Sequence, residues 1–277
     1  MTRRMNVTLF FICLLCIFFF IVFLFFYISF KNTYKIQVNQ VEIPLKVSLN
    51  QPLHILQLSD MHIEKLSIKP NNLFETIKDM PIDLIAITGD LLEKESNIQP
   101  FMNYIDQLQK ITAPFGIYVV FGNHDYYLSE EIHGFRINLE NKGCIVLQNE
   151  NITINYGSTR LNIIGIDNYS THRSDVSRAF QGIEKGLNLV LTHDPNVILE
   201  MGQYPFDYLL AGHFHGGQIH WPKPFHIVKY GQVARMKMIR GLHYFKGKPF
   251  YISEGLGQTA LRLRWGTLPE VTLHKLK

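Results

Sequence analysis

The sequence predicts an α/β fold preceded by one N-terminal transmembrane helix. Three observations predict it: an unbroken apolar run near the N-terminus, short apolar runs that alternate with helical patterns from Leu53 onward, and a more strand-rich pattern after Ile152. Strands that alternate with helices indicate βαβ units and a parallel sheet. The additional strands toward the C-terminus indicate a second sheet packed on the first.

The apolar run extends from Val7 to Phe30 and is interrupted only by Thr8 and Ser29. A run of this length spans a bilayer. A cleavable signal peptide has a shorter apolar region and a small-residue cleavage site, which this segment lacks. We therefore predict an uncleaved anchor over residues 1–31, a connector over 32–50 and one catalytic domain over 51–277.

The charges that flank the apolar run predict how the single-pass anchor is oriented in the cell membrane. Arg3, Arg4 and the terminal amine stand before the run, and Lys31 and Lys35 stand after it. Because positive charge is enriched on the cytoplasmic side, the balance favours an inside N-terminus and a catalytic domain on the outer side.

The body has the size and cysteine content of one domain without a disulfide. About 245 residues follow the anchor, and single α/β domains of that size are ordinary. Cys13 and Cys16 lie inside the apolar run, so Cys144 is the one cysteine of the body. An intradomain disulfide is therefore excluded, and the redox compartment stays undetermined.

Apolar periodicity predicts each element of the body in turn. In the first part, strands and helices alternate: Leu53–Leu58, a helix near 71–78, Leu84–Thr88, a helix near 97–110, Gly116–Phe121, a helix near 129–141 and Ile145–Leu147. The second part is richer in strands: Ile152–Asn155, Leu161–Ile166, Leu187–Thr192, Tyr208–Ala211, Tyr251–Ser253 and Glu270–His274. We assign this second group to the second sheet.

Polar residues that could bind metal follow several of these strands directly. They are Asp60 and His62, Asp90, Asn123 and His124, His193, and the pair His213 and His215. Because ligands bind at the carboxyl ends of strands in α/β sheets, these side chains are expected at one edge. Carboxylate, imidazole and amide groups are ligands for divalent metals. In an extended segment His213 and His215 would point the same way.

The motifs resemble those of the calcineurin-like metallophosphoesterase superfamily, whose five blocks are D-x-H, G-D, G-N-H-[DE], a lone His and G-H-x-H. All five occur here in that order, and the resemblance covers roughly residues 50 to 277. The sequence is similar to the membrane-anchored branch that includes UDP-2,3-diacylglucosamine pyrophosphatases. Gly255-Leu256-Gly257 followed by Arg264 also matches that branch, with Arg262 as an alternative to Arg264. The resemblance implies a four-layer α-β-β-α metallophosphoesterase sandwich.

The resemblance also implies a two-metal site with manganese, iron or zinc. One ion would be held by Asp60, His62, Asp90 and His215, and the other by Asp90, Asn123, His193 and His213. Two cations about 3.5 to 4 Å apart would activate a shared water, so the nucleophile would be hydroxide. His124 would stabilise the transition state or protonate the leaving oxygen, and Asp125 would orient its ring.

The lone-histidine block leaves an alternative open. His193 follows a predicted strand, but other histidines of the body compete for the role: His133, His172, His220, His226 and His243. Asp194 could orient His193 or belong to a surface turn before Pro195.

A segment without acidic residues, from Ile219 to Lys248, could form a basic and aromatic surface beside the metals. Its basic residues are Lys223, Lys229, Arg235, Lys237, Arg240, Lys246 and Lys248, and its aromatic residues include Trp221, Phe225, Tyr230, Tyr244 and Phe245. Such composition suits an anionic phospholipid-like substrate or the bilayer surface. Nucleic acid is the rival partner, and an ordinary basic loop is the third interpretation.

We therefore predict a membrane-anchored phosphoesterase that hydrolyses a phosphate ester or pyrophosphate, with the bilayer as its partner. A lipid-linked substrate such as a UDP-2,3-diacylglucosamine-like molecule is favoured over nucleic acid because the chain carries an anchor. The alternatives are a tethered nuclease, a soluble-nucleotide phosphodiesterase and a non-catalytic binding protein of the same fold. The last is disfavoured because every expected ligand is present. The sequence identifies no protein partner.

Overall fold

The computed structural model describes residues 2–45, 49–220 and 225–277. Over these residues the helices and strands are, in chain order, α1 (Thr2–Asn32), β1 (Gln37–Ile43), β2 (Leu53–Leu58), α2 (Pro70–Ile77), β3 (Leu84–Thr88), α3 (Ile98–Leu108), β4 (Ile117–Val120), α4 (Ile132–Asn141), β5 (Cys144–Val146), β6 (Glu150–Tyr156), β7 (Thr159–Gly165), α5 (Val176–Ala179), β8 (Leu187–Leu191), β9 (Tyr208–Ala211), α6 (Gln232–Arg235), β10 (Gly241–Phe245), β11 (Lys248–Ile252) and β12 (Glu270–Leu276).

The first sheet contains six strands among the described residues, in the order β1-β12-β2-β3-β4-β5. Strands β2 to β5 run parallel, as the alternation of strands and helices predicts. β12 lies between β1 and β2 and is antiparallel to β2. The assignment of Glu270–His274 to the second sheet is therefore wrong. The last strand returns to the first sheet and fills the position beside β2.

The second sheet, also six-stranded within the described ranges, has the order β10-β11-β9-β8-β7-β6. Its central strands β7, β8, β9 and β11 are parallel, and the edge strands β6 and β10 are antiparallel to their neighbours. The two sheets confirm the predicted mixed α/β fold. In both sheets the carboxyl ends of the central strands carry the polar residues singled out in the sequence.

Apolar side chains of the described residues pack into three buried clusters. Alternate residues of β2 enter different clusters: Leu53 and Ile55 join the one that includes residues of both sheets, and Leu56 and Leu58 join the one that includes α2, α3 and α4. The third cluster contains residues of β8, β9, α5 and α6. This alternation follows from the two-residue period of a strand and buries both faces of β2.

Helix α1 is apolar on all sides and packs on the body only near its C-terminal end. Its stretch Val7–Asn32 is long and apolar enough to cross a membrane, and its most apolar window is entirely unburied. At the C-terminal end, Ser29 is buried and its carbonyl accepts a hydrogen bond from the backbone N–H of Arg264 at 2.9 Å. The Asn32 amide donates to the Arg264 carbonyl at 3.1 Å. The ring centroid of Phe25 lies 4.8 Å from that of Trp265.

Candidate metal centre

Five strands deliver the predicted site residues to one place. β2 is followed by Asp60 and His62, β3 by Asp90, β4 by Asn123 and His124, β8 by His193, and β9 by His213 and His215. All five strands lie in the interior of their sheets. The carboxyl ends of both sheets therefore converge on the same site, which explains why its residues are distributed over more than 150 positions of the chain.

Backbone conformation at this site is unusual. Five of the predicted ligands, all non-glycine residues, have positive φ: Asp60, His62, Asp90, His213 and His215, with values between 40° and 77°. Non-glycine residues in this region are sterically disfavoured and concentrate at functional sites. The expectation that His213 and His215 share a direction in an extended segment is wrong, because the chain turns sharply there and sends the two rings into different groups.

Two glycines permit the close approach of these turns. A Cβ atom at Gly122 would lie 2.1 Å from Oδ1 of Asp90. At Gly212 it would lie 2.2 Å from Oδ2 of Asp60. No side chain fits at either position, so the glycines let the neighbouring strand ends approach the two carboxylates.

Asp60, His62 and His215 form the first group of converging side chains. Nε2 of His62 lies 3.2 Å from Nε2 of His215, and the latter lies 3.3 Å from Oδ1 of Asp60. All three residues are buried. The Ser59 hydroxyl donates to Oδ2 of Asp60 at 2.6 Å, which fixes the orientation of the carboxylate.

Asp90, His193 and His213 form the second group. Nε2 of His193 lies 3.1 Å from Oδ2 of Asp90 and 3.2 Å from Nδ1 of His213. Nδ1 of His193 lies 2.8 Å from the carbonyl oxygen of Thr88, to which it donates. Because Nδ1 carries the proton of this hydrogen bond, the lone pair of the neutral ring is on Nε2, which points toward the centre of the group. Metal-binding histidines are commonly oriented in this way.

Asp90 connects the two groups. Its Oδ2 lies 3.5 Å from Nε2 of His62 in the first group as well as 3.1 Å from His193 in the second. Burial alone would raise the pKa of Asp90, but the His193 ring beside it keeps that pKa well below its usual range. Burial alone would lower the pKa of His193, but the charges of Asp90 and Asp60 raise it to about 10. The site therefore attracts positive charge strongly.

The donor set fits divalent metal ions. In each group the potential ligand atoms lie within 4.8 Å of one another. Two pairs of imidazole nitrogens meet at 3.2 Å, where a shared cation would bind both through their lone pairs. Oδ1 of Asn123 is buried and has no hydrogen-bond partner among the described residues. Nitrogen and oxygen ligands of this kind suit zinc, iron and manganese.

His124 lies at the side of these groups, and the carboxylate beside it belongs to Glu93. Nδ1 of His124 is 2.9 Å from Oε1 of Glu93, a close contact that is not an aligned hydrogen bond, and burial lowers the pKa of His124. His62, followed by His124 and Lys65, lowers the pKa of Glu93 to about 2 despite its partial burial. Nε2 of His124 faces the metal-binding residues, 4.0 Å from Oδ2 of Asp90. Sequence reasoning missed Glu93, whose one signal is its position three residues after Asp90.

Asp125 has a different place from the one expected for it. Its Oδ2 accepts hydrogen bonds from the backbone N–H groups of Gly122 and Asp90 at 2.7 and 2.9 Å, and its Oδ1 accepts from those of Leu91 and Leu92 at 2.7 and 3.1 Å. The prediction that Asp125 orients the His124 ring is corrected: both oxygens are occupied by backbone donors. Asp125 instead joins the loops after β3 and β4 and so holds Asp90 in position.

The competitors of His193 can be compared by position. His193 lies in the second group, and among the described residues none of His133, His172, His220 and His243 lies in such a group. The side chain of His226 lies outside the described residues, so His193 stays a prediction. Asp194 is buried and caps the turn Pro195–Leu199 through the backbone N–H of Asn196. Its Oδ2 is also 4.0 Å from Nε2 of His213.

Arg264, rather than Arg262, is the arginine that supports the site. It is fully buried, and its guanidinium donates to the carbonyls of Glu254, Gly255, Gly257 and Leu268. Burial lowers its pKa to about 10. The backbone N–H of Gly257 in turn donates to the Asp60 carbonyl at 2.7 Å. Arg264 therefore fixes the loop that packs against the first ligand.

Two cavities meet at the metal-binding residues. The first, about 590 Å³, is bounded away from the ligands by apolar and polar residues: Phe214, Gln218, Ile219, Thr259, Ala260 and Leu261. The second, about 530 Å³, is bounded by polar residues that include Tyr169, Ser170, Asn196 and Gln232. Both share the residues that separate them: Asn123, His213, Lys229 and Tyr230.

The basic segment 219–248 does not form one surface in the parts that the structure describes. Lys229 lines both cavities, whereas Arg240 pairs with Glu254 at 3.1 Å and Lys248 donates to the Tyr204 carbonyl. Trp221 and Lys223 lie outside the described residues, as does the side chain of Phe225. Among the basic and aromatic side chains of the segment that the structure describes, Lys229 and Tyr230 are thus the ones that line the cavities at the site.

Comparison with known proteins gives consistent matches. The family profile of calcineurin-like phosphoesterases matches residues 53–217. The uncharacterized metallophosphoesterase YkoQ of Bacillus subtilis is 51% identical over 91% of this chain and 94% of that protein. UDP-2,3-diacylglucosamine pyrophosphatase LpxG of Chlamydia muridarum is 25% identical over 88% of this chain and 89% of that protein. The phosphopantetheinyl hydrolase of Mycobacterium tuberculosis is similar in fold, with a TM-score of 0.50, 11% identity, and coverage of 78% of this chain and 96% of that one.

Proposed function

We propose that this chain, which belongs to the calcineurin-like phosphoesterase family and is a metal-dependent phosphoester hydrolase, cleaves a phosphodiester or pyrophosphate bond of a lipid-linked substrate at a membrane. The family membership confirms the resemblance that the five sequence blocks indicated. The similarity to LpxG, named as a UDP-2,3-diacylglucosamine pyrophosphatase, supports the lipid-linked substrate.

The observation that carries this proposal is the pair of cavities that meet at the metal-binding residues. A phosphomonoester has one substituent to accommodate, whereas a diester or pyrophosphate has two. Each cavity has room for one of the two substituents, and each combines apolar with polar lining: Leu261 and Thr259 in the first, Leu199 and Asn196 in the second. Lys229, between them, would pair with phosphate oxygens.

Both metal sites take part in the proposed reaction. When bound, two divalent cations would lower the pKa of a shared water and offset charge on the phosphate oxygens. Asp60, His62, Asp90 and His215 would hold one cation, and Asp90, Asn123, His193 and His213 the other. His124 lines the cavity and, when protonated, would donate a proton from Nε2 to the leaving oxygen, with the Glu93 carboxylate next to its Nδ1.

We also propose that α1 anchors the enzyme, with the catalytic domain on the outer side. The contacts of Ser29 and Asn32 with Arg264 support a retained helix, because cleavage of the segment would remove them. We expect the protein to stay in membranes that are washed with alkali, and release by alkali would contradict the anchor. We also expect protease added to intact spheroplasts to digest the catalytic domain. The helices on both sheets would complete the four-layer α-β-β-α arrangement, which the three buried clusters support.

A substrate panel with the full chain in micelles tests the function, with and without added manganese. It contains a lipid-linked nucleotide pyrophosphate, a small aromatic diester, the matching monoester, a soluble dinucleotide and an oligonucleotide. We expect manganese-dependent hydrolysis, with kcat/KM for the lipid-linked pyrophosphate at least about 10-fold above that for the monoester. Preference for the monoester would overturn the two-cavity argument. Preference for the oligonucleotide or the soluble dinucleotide would establish a nuclease or a nucleotide phosphodiesterase instead.

A further inference from the structure

An apolar groove lies between the anchor helix and the catalytic body, separate from the metal cavities. Side chains of α1 between Ile21 and Ile28 form one wall, and the indole of Trp265 forms the other. Its volume is about 460 Å³. The Phe25 ring, 4.8 Å from the Trp265 ring, lies where the walls meet.

Trp265 is hydrogen-bonded to a backbone segment that lines the metal cavity. Its backbone N–H donates to the Gln218 carbonyl at 3.0 Å, and its carbonyl accepts from the His220 N–H at 2.7 Å. Trp265 thereby forms a parallel bridge with Ile219, a residue that lines the first cavity. Bridged backbones of this kind lie only about 5 Å apart. Trp265 in the groove and Ile219 in the metal cavity are thus joined through one pair of backbone segments.

The rim between groove and cavity is also fixed by Gln218. Its amide donates to the carbonyls of Thr259 and Leu261 at 2.9 and 3.0 Å. Both residues line the metal cavity, and the Leu261 side chain is 57% exposed. Leu261 is thus an exposed apolar side chain at the metal cavity, and Gln218 holds its backbone to the segment that is bridged to Trp265.

The chemistry of the groove favours one occupant. Its walls are hydrocarbon, and α1 has the length and composition of a membrane-spanning helix, so its exposed face would contact acyl chains. Tryptophan is enriched at the level where acyl chains meet headgroups, which is the place that a bound lipid would occupy. A nucleobase could stack on the aromatic rings, but the polar edges of the base and the sugar phosphate would find no polar side chain among the residues that line the groove.

We infer that the groove between α1 and Trp265 binds an acyl chain of the substrate while its phosphate lies at the metals. This inference rests on the proposed lipid-linked substrate and adds to it a binding site and two residues that determine specificity, Phe25 and Trp265. The anchor helix would then be part of the substrate site as well as a tether.

The test uses the full chain in micelles and substrates that share one headgroup but carry short or long acyl chains. Trp265→Ala and Phe25→Ala should lower the ratio of kcat/KM for long over short chains at least about 10-fold. Phe18→Ala is the matched control, since Phe18 is a phenylalanine of the same helix that does not line the groove. It should keep the wild-type ratio. Metal content of each variant verifies that the centre is intact.

A binding measurement supplies a second readout. In a Trp221→Phe background Trp265 is the one remaining tryptophan. A long-chain phosphodiester brominated on its acyl chain should quench Trp265 fluorescence more strongly than brominated phosphatidylcholine at the same mole fraction. Equal quenching would show general lipid contact only and would overturn the inference.

The outcomes separate this inference from the proposed function. If lipid-linked substrates are hydrolysed but both groove variants keep the wild-type chain-length ratio, the groove assignment fails and the function stands. Equal losses on short and long chains would assign Trp265 and Phe25 a structural role and also overturn it. If no lipid-linked substrate is hydrolysed by the wild type, the proposed function itself fails.

Discussion

Asp90 is the residue that both ligand groups share. Its Oδ2 contacts His193 and His62, its Oδ1 accepts a hydrogen bond from the His124 backbone N–H at 2.8 Å, and its own N–H is held by Asp125. Its carboxylate is therefore fixed from several directions. Such a position suits a ligand that bridges two cations, since each oxygen already has a defined direction.

Asp90→Asn should weaken both metal sites at once. The change keeps the shape of the side chain and removes the charge that both cations would share, so the loss of metal affinity should exceed the roughly 10- to 100-fold typical of outer-shell changes. Metal analysis after dialysis, with turnover measured on the same samples, checks this. Asp106→Asn, which alters an exposed ion pair with Lys142, is the control. Two metals per chain with normal turnover in the Asp90 variant would refute the bridging role.

His124→Ala should separate proton transfer from metal binding. Because His124 lies beside the groups without belonging to the proposed ligands, both metals should remain while the rate falls roughly 10²- to 10⁴-fold. The deficit should shrink for esters with good leaving groups, which need no protonation. If activated and poor-leaving-group esters suffer equally, His124 does not act as the acid.

Glu93→Gln should show a smaller deficit with the same leaving-group dependence, because it removes the charge next to Nδ1 of His124 and leaves the ring in place. Glu93 also lies 3.7 Å from Nδ1 of His62, so the metal content of the variant is measured as well. Glu95→Gln alters an exposed carboxylate in the same loop and should behave like wild type.

The metal-binding residues could be found from sequence because each follows an apolar strand directly. Glu93 could not, because nothing in the local pattern distinguishes it from Glu95, two positions later. Its role depends on the approach of His124 from another strand end. The same reason explains the correction at Asp125: an aspartate next to a histidine suggests a pair, whereas the fold brings four backbone N–H groups to it.

Among the elements, strands buried on both faces were the most accurately predicted. β2, β3 and β9 have the predicted ends because continuous apolar runs stop at polar residues. The missed strands, β1 and β10, are edge strands with partly exposed residues. β1 pairs with β12, more than 220 positions later, and no local pattern reveals such a partner.

The sheet that β12 joins could not be predicted from its local sequence either. Its apolar alternation predicts a strand but carries no information on which sheet it joins. In the structure it pairs with β1 on one side and β2 on the other. The chain end thus completes the first sheet and brings His274 between the two sheets. The local sequence gives no sign that this titratable side chain is buried there.

At the scale of the whole molecule, a buried polar network joins the two sheets. Nδ1 of His274 on β12 accepts from the Tyr208 hydroxyl of β9 at 2.9 Å, and its Nε2 donates to Oε1 of Gln57 at 3.0 Å. The Gln57 amide donates to Thr88 and to the Ala211 carbonyl, both at 2.9 Å. The network thus ends directly beneath the loops that carry Asp90 and His213.

His274 should make the fold sensitive to acid. Burial lowers its folded pKa to about 3, from an ordinary value of 6.5. Between those pH values His274 binds a proton in the unfolded chain but not in the folded chain. The free energy of unfolding therefore falls as the pH falls from 6.5 toward 3. The slope is about 1.4 kcal/mol per pH unit for one proton, or about 2 kcal/mol by about pH 5.

His274→Gln should make the slope shallower by the share of this one proton, since glutamine can bond to Tyr208 and Gln57 but does not titrate. Denaturant unfolding of metal-free protein in micelles, followed by circular dichroism from about pH 7 to about pH 5, measures it. His172→Gln, at an exposed loop position, should retain the wild-type slope. A His274 variant that loses stability with acid as steeply as wild type would mean that other groups dominate. A reduced slope would mean that acid weakens the sheet contacts beneath the metal-binding loops, so metal retention should decline over the same pH range.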